Sequence, residues 1–246
     1  MGLGNDLPIV VVTGMAFEAR VAAGLGVVTV CGSNTVIAAG LGKAIANGCR
    51  GIVSFGIAGG LSPHVRPGVI VAARAIITDK GRFEAHAQWT DRLLQLVPGA
   101  MDAHIAAVAE PVSTPADKQQ LAVTTGAIAV DMESGIAAET AHAHGLPFAA
   151  LRVVADPVHR ALPPAARLPL RPDGTANLLA VMFSVMAQPG QIGDLIRVGR
   201  DTGKARAALT YGRKFIGSGF GFDDLAAASP ADTIASATLG RASSAA

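Results

Sequence analysis

Ala127-Ile128-Ala129-Val130-Asp131-Met132-Glu133-Ser134, then Gly135 to His144, then Phe148-Ala149-Ala150-Leu151-Arg152-Val153-Val154-Ala155-Asp156-Pro157, is the stretch that decides the fold. Ala127 to Val130 reads as a short strand that runs directly into Asp131 and Glu133. Gly135 to His144 reads as a helix, stopped by Gly145 and Pro147. Phe148 to Ala155 is almost wholly apolar and reads as a strand covered on both faces. It ends at Asp156, before a proline that cannot continue a ladder.

The same alternation extends upstream. Pro8 to Gly14 is an apolar, β-branched run closed by glycine, a further buried strand. Met15 to Ala23 reads as a helix start, Val27 to Cys31 as a strand, and Thr35 to Asn47 as a helix closed by Gly48. Gly51 to Gly56 is a third strand, running into a Gly-rich turn at Gly56-Ile57-Ala58-Gly59-Gly60, and Val69 to Ile77 is another strand. Strands alternating with helices imply an α/β domain with a largely parallel sheet covered on both faces. Ligands of such sheets bind at the carboxyl ends of the strands. Glu133, Asp156 and the Gly-rich segment all fall there, and Glu18 lies just after the first strand.

Composition narrows the class. Half of the 246 residues are hydrophobic and 15% are charged, so the chain can bury a large core. A formal net charge of +2 does not point to nucleic acid as a partner. Cys31 and Cys49 form no disulfide framework and no metal-ligand pattern, so no metal or cofactor is expected. The N-terminus lacks the pattern of a secretory signal, and the apolar run Leu178 to Ala187 is far short of a membrane span. A cytoplasmic location is expected.

Three acids at strand ends suit the cleavage of a purine N-glycosidic bond. The departing base needs a proton, which an acid with a burial-raised pKa supplies. A carboxylate can deprotonate the attacking water, and another can hold the ribose hydroxyls. None of Glu18, Glu133 and Asp156 is specific alone. Each also reads as an ordinary helix-start, loop or turn acid.

In combination and in order, these motifs resemble the nucleoside phosphorylase and nucleosidase superfamily. The resemblance rests on Gly14-Met15 with Glu18, on Gly56 to Leu61, and on Ala129 to Glu133 followed 23 residues later by Asp156. It covers roughly residues 8 to 160 and implies a three-layer α/β/α sandwich with a mixed, largely parallel central sheet. It implies Glu18 as the base that activates water, Met132 as a residue packing on the ribose, and Glu133 as the ligand of the 2′- and 3′-hydroxyls. Asp156 would then protonate N7 of adenine, with Ala58 and Gly59 supplying backbone beside the base and ribose.

The chain departs from the pattern in four places. Ala155 stands where the nucleosidases commonly have Ser, which removes a hydrogen bond that would steady the acid. Ile57 stands where many members have Ser, and Ser54 where bacterial purine phosphorylases have a phosphate-binding Arg. Their N-terminal Gly-Asp-Pro loop is absent as well. A phosphate dianion without an Arg partner is poorly compensated, which favours water over phosphate as nucleophile. Arg20 and Arg66 leave the phosphate alternative open.

Within the superfamily, the segments from Val53 to Leu61, Gly145 to Pro157, His159 to Ala165 and Arg171 to Gly174 resemble the hopanoid-associated members, extending the match to about residue 216. That resemblance implies adenosylhopane as substrate, and the family resemblance implies at least a homodimer. His159, three residues after Asp156, is expected toward the 5′ side of the site, with an ordinary loop histidine as the alternative. The alternatives are phosphorolysis of the same lipid nucleoside, hydrolysis of methylthioadenosine or S-adenosylhomocysteine, and a non-catalytic nucleoside- or lipid-binding module.

Such a substrate requires an apolar channel and access to a membrane. Leu162 to Leu170 and Leu178 to Ala187 could line the channel, although core packing is the commoner job for the latter. Residues 191–217 carry six Arg or Lys against two Asp, interleaved with Ile192, Leu195, Ile196 and Val198. They read as a basic amphipathic helix able to lie peripherally on the inner membrane, or equally as an ordinary helix with a solvated face. One catalytic domain is expected over 1–217, followed by a flexible Ala/Ser/Gly-rich tail over 218–246.

Overall fold

The computed structural model describes residues 7–168, 171, 174–175 and 177–225. Strand β1 (Ile9–Thr13) is buried along its length and precedes helix α1 (Ala16–Ala22). Strand β2 (Val27–Cys31) and helix α2 (Asn34–Ala46) follow. Strand β3 (Gly51–Gly60) is longer than its sequence suggests, because the expected Gly-rich turn is its second half. Glycines there are not turn formers. They let β3 pass close to neighbouring side chains.

Strands β4 (Ile70–Thr78) and β5 (Gly81–Glu84) form a hairpin, and helix α3 (Ala87–Leu96) and strand β6 (Met101–Ala107) come next. Helix α4 (Pro115–Thr125) starts at a Thr114 cap with proline in the first turn and ends at Gly126 in the left-handed conformation. Strand β7 (Ala129–Asp131), helix α5 (Ser134–Ala143) and strand β8 (Phe148–Asp156) complete the strand–helix–strand unit read from the sequence. Helices α6 (Leu178–Ala187) and α7 (Ile192–Phe215) follow.

The sheet is mixed and largely parallel. β1 pairs in parallel with β2 and β3, β3 with β8, β4 with β6, and β6 with β7. β4 pairs antiparallel with β5 and β8, and the end of β3 pairs antiparallel with β7. Strands β3, β8, β4, β6 and β7 thus close a ring. A register shift between Ala58 and Gly59 turns the end of β3 from β8 toward β7, setting Gly59 opposite both Asp156 and Val130. Apolar clusters lie on both faces: Ile37, Leu41 and Ala138 on one side, Trp89, Leu93 and Leu209 on the other.

Two expectations about the C-terminal region change. Phe220 is fully buried against Phe55, and its carbonyl accepts the Trp89 indole N–H at 2.7 Å. The packed domain therefore continues past residue 217 to Leu225, with the remainder of the proposed tail outside the described residues. Helix α6 is not core: Met182, Phe183 and Met186 are 59%, 70% and 73% exposed.

Candidate active site

Arg152 is the centre around which Glu18, Asp131 and Glu133 gather, whereas Asp156 faces Lys118. It sits mid-strand in β8 with a side chain 0% exposed. Its Nε lies 2.6 Å from Asp131 Oδ2, and its Nη2 lies 3.2 Å from Glu133 Oε2 and donates to Ser54 Oγ at 2.6 Å. Ser54 and Ser134 share a 2.8 Å hydrogen bond, and the Ser134 hydroxyl donates to Asp131. Burial alone would push the guanidinium down, but Asp131, Glu133 and Glu18 together hold it above its ordinary value.

Glu18 reaches this cluster from α1 and is 1% exposed. Its Oε2 accepts the Gly14 and Met15 amides at 3.0 and 2.8 Å, and its Oε1 accepts the Ile57 amide at 2.7 Å. Burial pushes its carboxyl up, against Arg152 and the three amides, which favour the charged form. Both lone pairs of Oε2 are taken by these amides, and Oε1 keeps one for a further donor. The glycines make this approach possible. A methyl group on Gly56 would lie 2.6 Å from both Glu18 Oε1 and an Arg152 nitrogen, and one on Gly14 would collide with Glu133 Oε1.

Glu133 follows β7 and is partly exposed. Burial pushes its carboxyl up to about 7; Arg152 opposes this, while Asp131 and Glu18 add to it. The ordinary value is 4.5. The folded protein thus holds this proton more tightly than the unfolded chain, so its stabilising effect is full below 4.5 and is lost as pH rises through about 7. Urea midpoints are expected to fall across that window. Glu133→Gln should flatten the fall by about 3 kcal/mol, and an unchanged slope would contradict the shift.

Asp156 stands at the end of β8, 13% exposed at its side chain. Burial raises its pKa, against Lys118 and Arg160, which lower it. It lines a cavity of about 280 Å³ together with Met15, Ile57, Leu162, Leu168, Val181 and Val198, near the lower end of the size of small-molecule pockets. Met15 and Ile57, whose amides grip Glu18, line the cavity too, so Glu18 stands behind that wall, while Glu133 is not among the lining residues. Leu162, Leu168 and Val181 come from the segments expected to line a channel. Among the described residues no group of acids, histidines or cysteines forms a metal site.

Ala58 is buried, Gly59 lies beside Asp156, and Met132 is half-buried between Asp131 and Glu133. His159 is not gathered with the others. It is exposed and borders a separate hollow of about 440 Å³ with Arg66, Arg160, Asp201 and Lys204. Arg20 is exposed and bonded to the Ala16 carbonyl, so neither arginine proposed for phosphate stands among the acids. Sequence reasoning passed over Arg152 and Lys118. Arg152 left a signal: a charge inside a wholly apolar strand must be paired. Lys118 left none beyond the helix that carries it.

Residues 4–168 match the sequence profile of the family described as "Phosphorylase superfamily". Among curated protein sequences none matches the chain. Solved structures resemble it at low identity. The 5′-methylthioadenosine/S-adenosyl homocysteine nucleosidase of Helicobacter pylori superposes with a TM-score of 0.59 at 12% identity, covering 84% of this chain and 97% of that one. The corresponding Campylobacter jejuni nucleosidase gives 0.58 at 14%, covering 74% and 96%. Futalosine hydrolase of Helicobacter pylori gives 0.58 at 13%, covering 84% and 97%. At these identities the likeness establishes the fold.

Proposed function

The chain belongs to the phosphorylase superfamily, and from that membership we propose that it hydrolyses the N-glycosidic bond of an adenine nucleoside. The observation that carries this reading is the shared wall of the cavity, with buried Asp156 on it and Glu18 held behind it by the Met15 and Ile57 amides. As the C1′–N9 bond breaks, its electron pair passes to the purine and Asp156 gives its proton to N7. Water adds to C1′ and yields its proton to Glu18, while Glu133 accepts from the ribose hydroxyls.

Water is favoured over phosphate by charge. Arg152 already faces Asp131, Glu133 and Glu18, and one guanidinium offsets one carboxylate only. A phosphate dianion would add negative charge to an acidic, buried cluster. The similar structures include hydrolases by name, which agrees with this choice.

The finer reading is that the nucleoside carries a large apolar 5′ group, as adenosylhopane does. The cavity walls beyond Asp156 are mostly aliphatic, and α6 and α7 form its outer side. The other side of the same helices exposes Met182, Phe183, Met186, Ile192 and Ile196 beside Arg197 and Arg200. That face suits peripheral contact with anionic lipid. No helix among the described residues is long and apolar enough to cross a membrane.

The test follows adenine release from adenosylhopane carried in phosphatidylglycerol or phosphatidylcholine vesicles, with and without phosphate, and identifies the product by mass. Free ribosylhopane, formed without phosphate and faster from the anionic vesicles, is expected. Ribosylhopane 1-phosphate, or strict phosphate dependence, would rule out hydrolysis. Turnover of methylthioadenosine with none of the lipid nucleoside would remove the apolar substrate.

A further inference from the structure

Helix α4 delivers a lysine to the acid at the end of β8. Lys118 lies in the first turns of α4 with a side chain 1% exposed. Its ammonium donates to Asp156 Oδ2 and, at 3.1 Å each, to the carbonyls of Pro157 and Arg160. Those three bonds use all its donors. A buried ammonium is costly unless paired, and this one is paired with the group that must release a proton. The preceding residue, Ala155, has no hydroxyl to hold that carboxyl. The other oxygen, Oδ1, lies on the Gly59 side, where a methyl group would stand 3.2 Å from it.

We propose that Lys118 is a positioning residue for the general acid, fixing Asp156 through Oδ2 and offsetting the charge left on Asp156 when its proton goes to the departing base. The proposal rests on the glycosidic-cleavage reading. In that step the C1′–N9 pair moves to the purine, N7 takes the Asp156 proton, and the new carboxylate faces the Lys118 ammonium, which neither gains nor loses a proton. Without Lys118 the same transfer would strand a carboxylate in a largely apolar cavity. The charged groups facing Asp156 are Lys118 from α4, Arg160 from the loop after β8, and Asp201 from α7. Arg160 and Lys204 both pair with Asp201, which leaves Lys118 as the cation bonded directly to Asp156.

Adenine release from methylthioadenosine and from adenosylhopane, followed from about pH 5 to 9, separates the possibilities. Activity needs protonated Asp156, so the rate falls at alkaline pH. Lys118→Met is expected to lower the plateau at least about tenfold and to move the alkaline limb up by about one pH unit or more, because an opposing positive charge is gone. Lys118→Arg should keep the limb in place. Lys118→Gln replaces the methionine variant if that fails to fold, since it keeps a donor for the carbonyls but no charge, and the same upward shift is expected. A folded, uncharged variant that keeps the wild-type rate overturns the proposal. So does one slowed equally at every pH, the mark of a merely structural residue. Wild-type protein that releases no adenine from either nucleoside overturns the cleavage reading itself, before any variant is compared.

Discussion

Asp156→Asn is expected to slow adenine release at least about a hundredfold, the size typical of losing a general acid. The asparagine amide can accept from Lys118 and fits the same space, so the fold should survive. It cannot deliver a carboxyl proton to N7, and a purine anion leaves poorly. Single-turnover release, with thermal unfolding as the check on folding, measures the effect. A loss of less than about tenfold in a folded variant would mean that the base departs without this proton, and Asp156 would lose its role. The loss should appear in the chemical step and not in nucleoside binding, because the interaction is made as charge develops on the base.

Arg152→Met is expected to cost about 3–5 kcal/mol of stability near neutral pH, the usual consequence of removing one partner from a buried ion pair. The methionine fills much of the same volume, so the loss is electrostatic. It leaves Asp131, Glu133 and Glu18 close together without a cation, and leaves Ser54 without its 2.6 Å donor. The sign of the pH dependence distinguishes this from poor packing. Carboxylates freed from the guanidinium can be neutralised by protonation, so the variant should recover part of its loss at about pH 5 relative to about pH 8. Urea denaturation at the two pH values reads the difference. A pH-independent loss would mean that the acids do not depend on Arg152 for their charge.

These two residues show where a linear reading stops. Asp156 was visible because it follows an apolar strand and precedes proline, at the edge where open α/β sheets bind ligands. Glu133 was visible for the same reason after β7. Arg152 lies inside the strand that announces Asp156, and its meaning depends on Ser54 and Ser134, 98 and 18 residues away in sequence. Lys118 meets Asp156 across 38 residues, from a helix whose polar pattern resembles any solvated helix. The Gly56 to Gly60 segment stands where the sequence places it but is strand, not turn. Glycines suggest a turn locally, yet here they keep Cβ atoms out of the path of Glu18, Arg152 and Asp156.

Over residues 8–77 and 127–156 the order of strands and helices, the burial of β1, β3 and β8, and the strand ends at which the acids stand follow from hydrophobic periodicity and from where glycine and proline interrupt it. Those are local properties of the chain, set by the 2.0 and 3.6 residue repeats. By contrast, β5, α3, β6 and α4 are elements that the sequence reading does not find. The ring closed by β3, β8, β4, β6 and β7, the cation each acid faces, and the exposed outer face of α6 emerged only in three dimensions. Strand pairing, desolvation and Coulomb interaction depend on distance in space, and residues far apart in sequence carry no local sign that folding will bring them into contact.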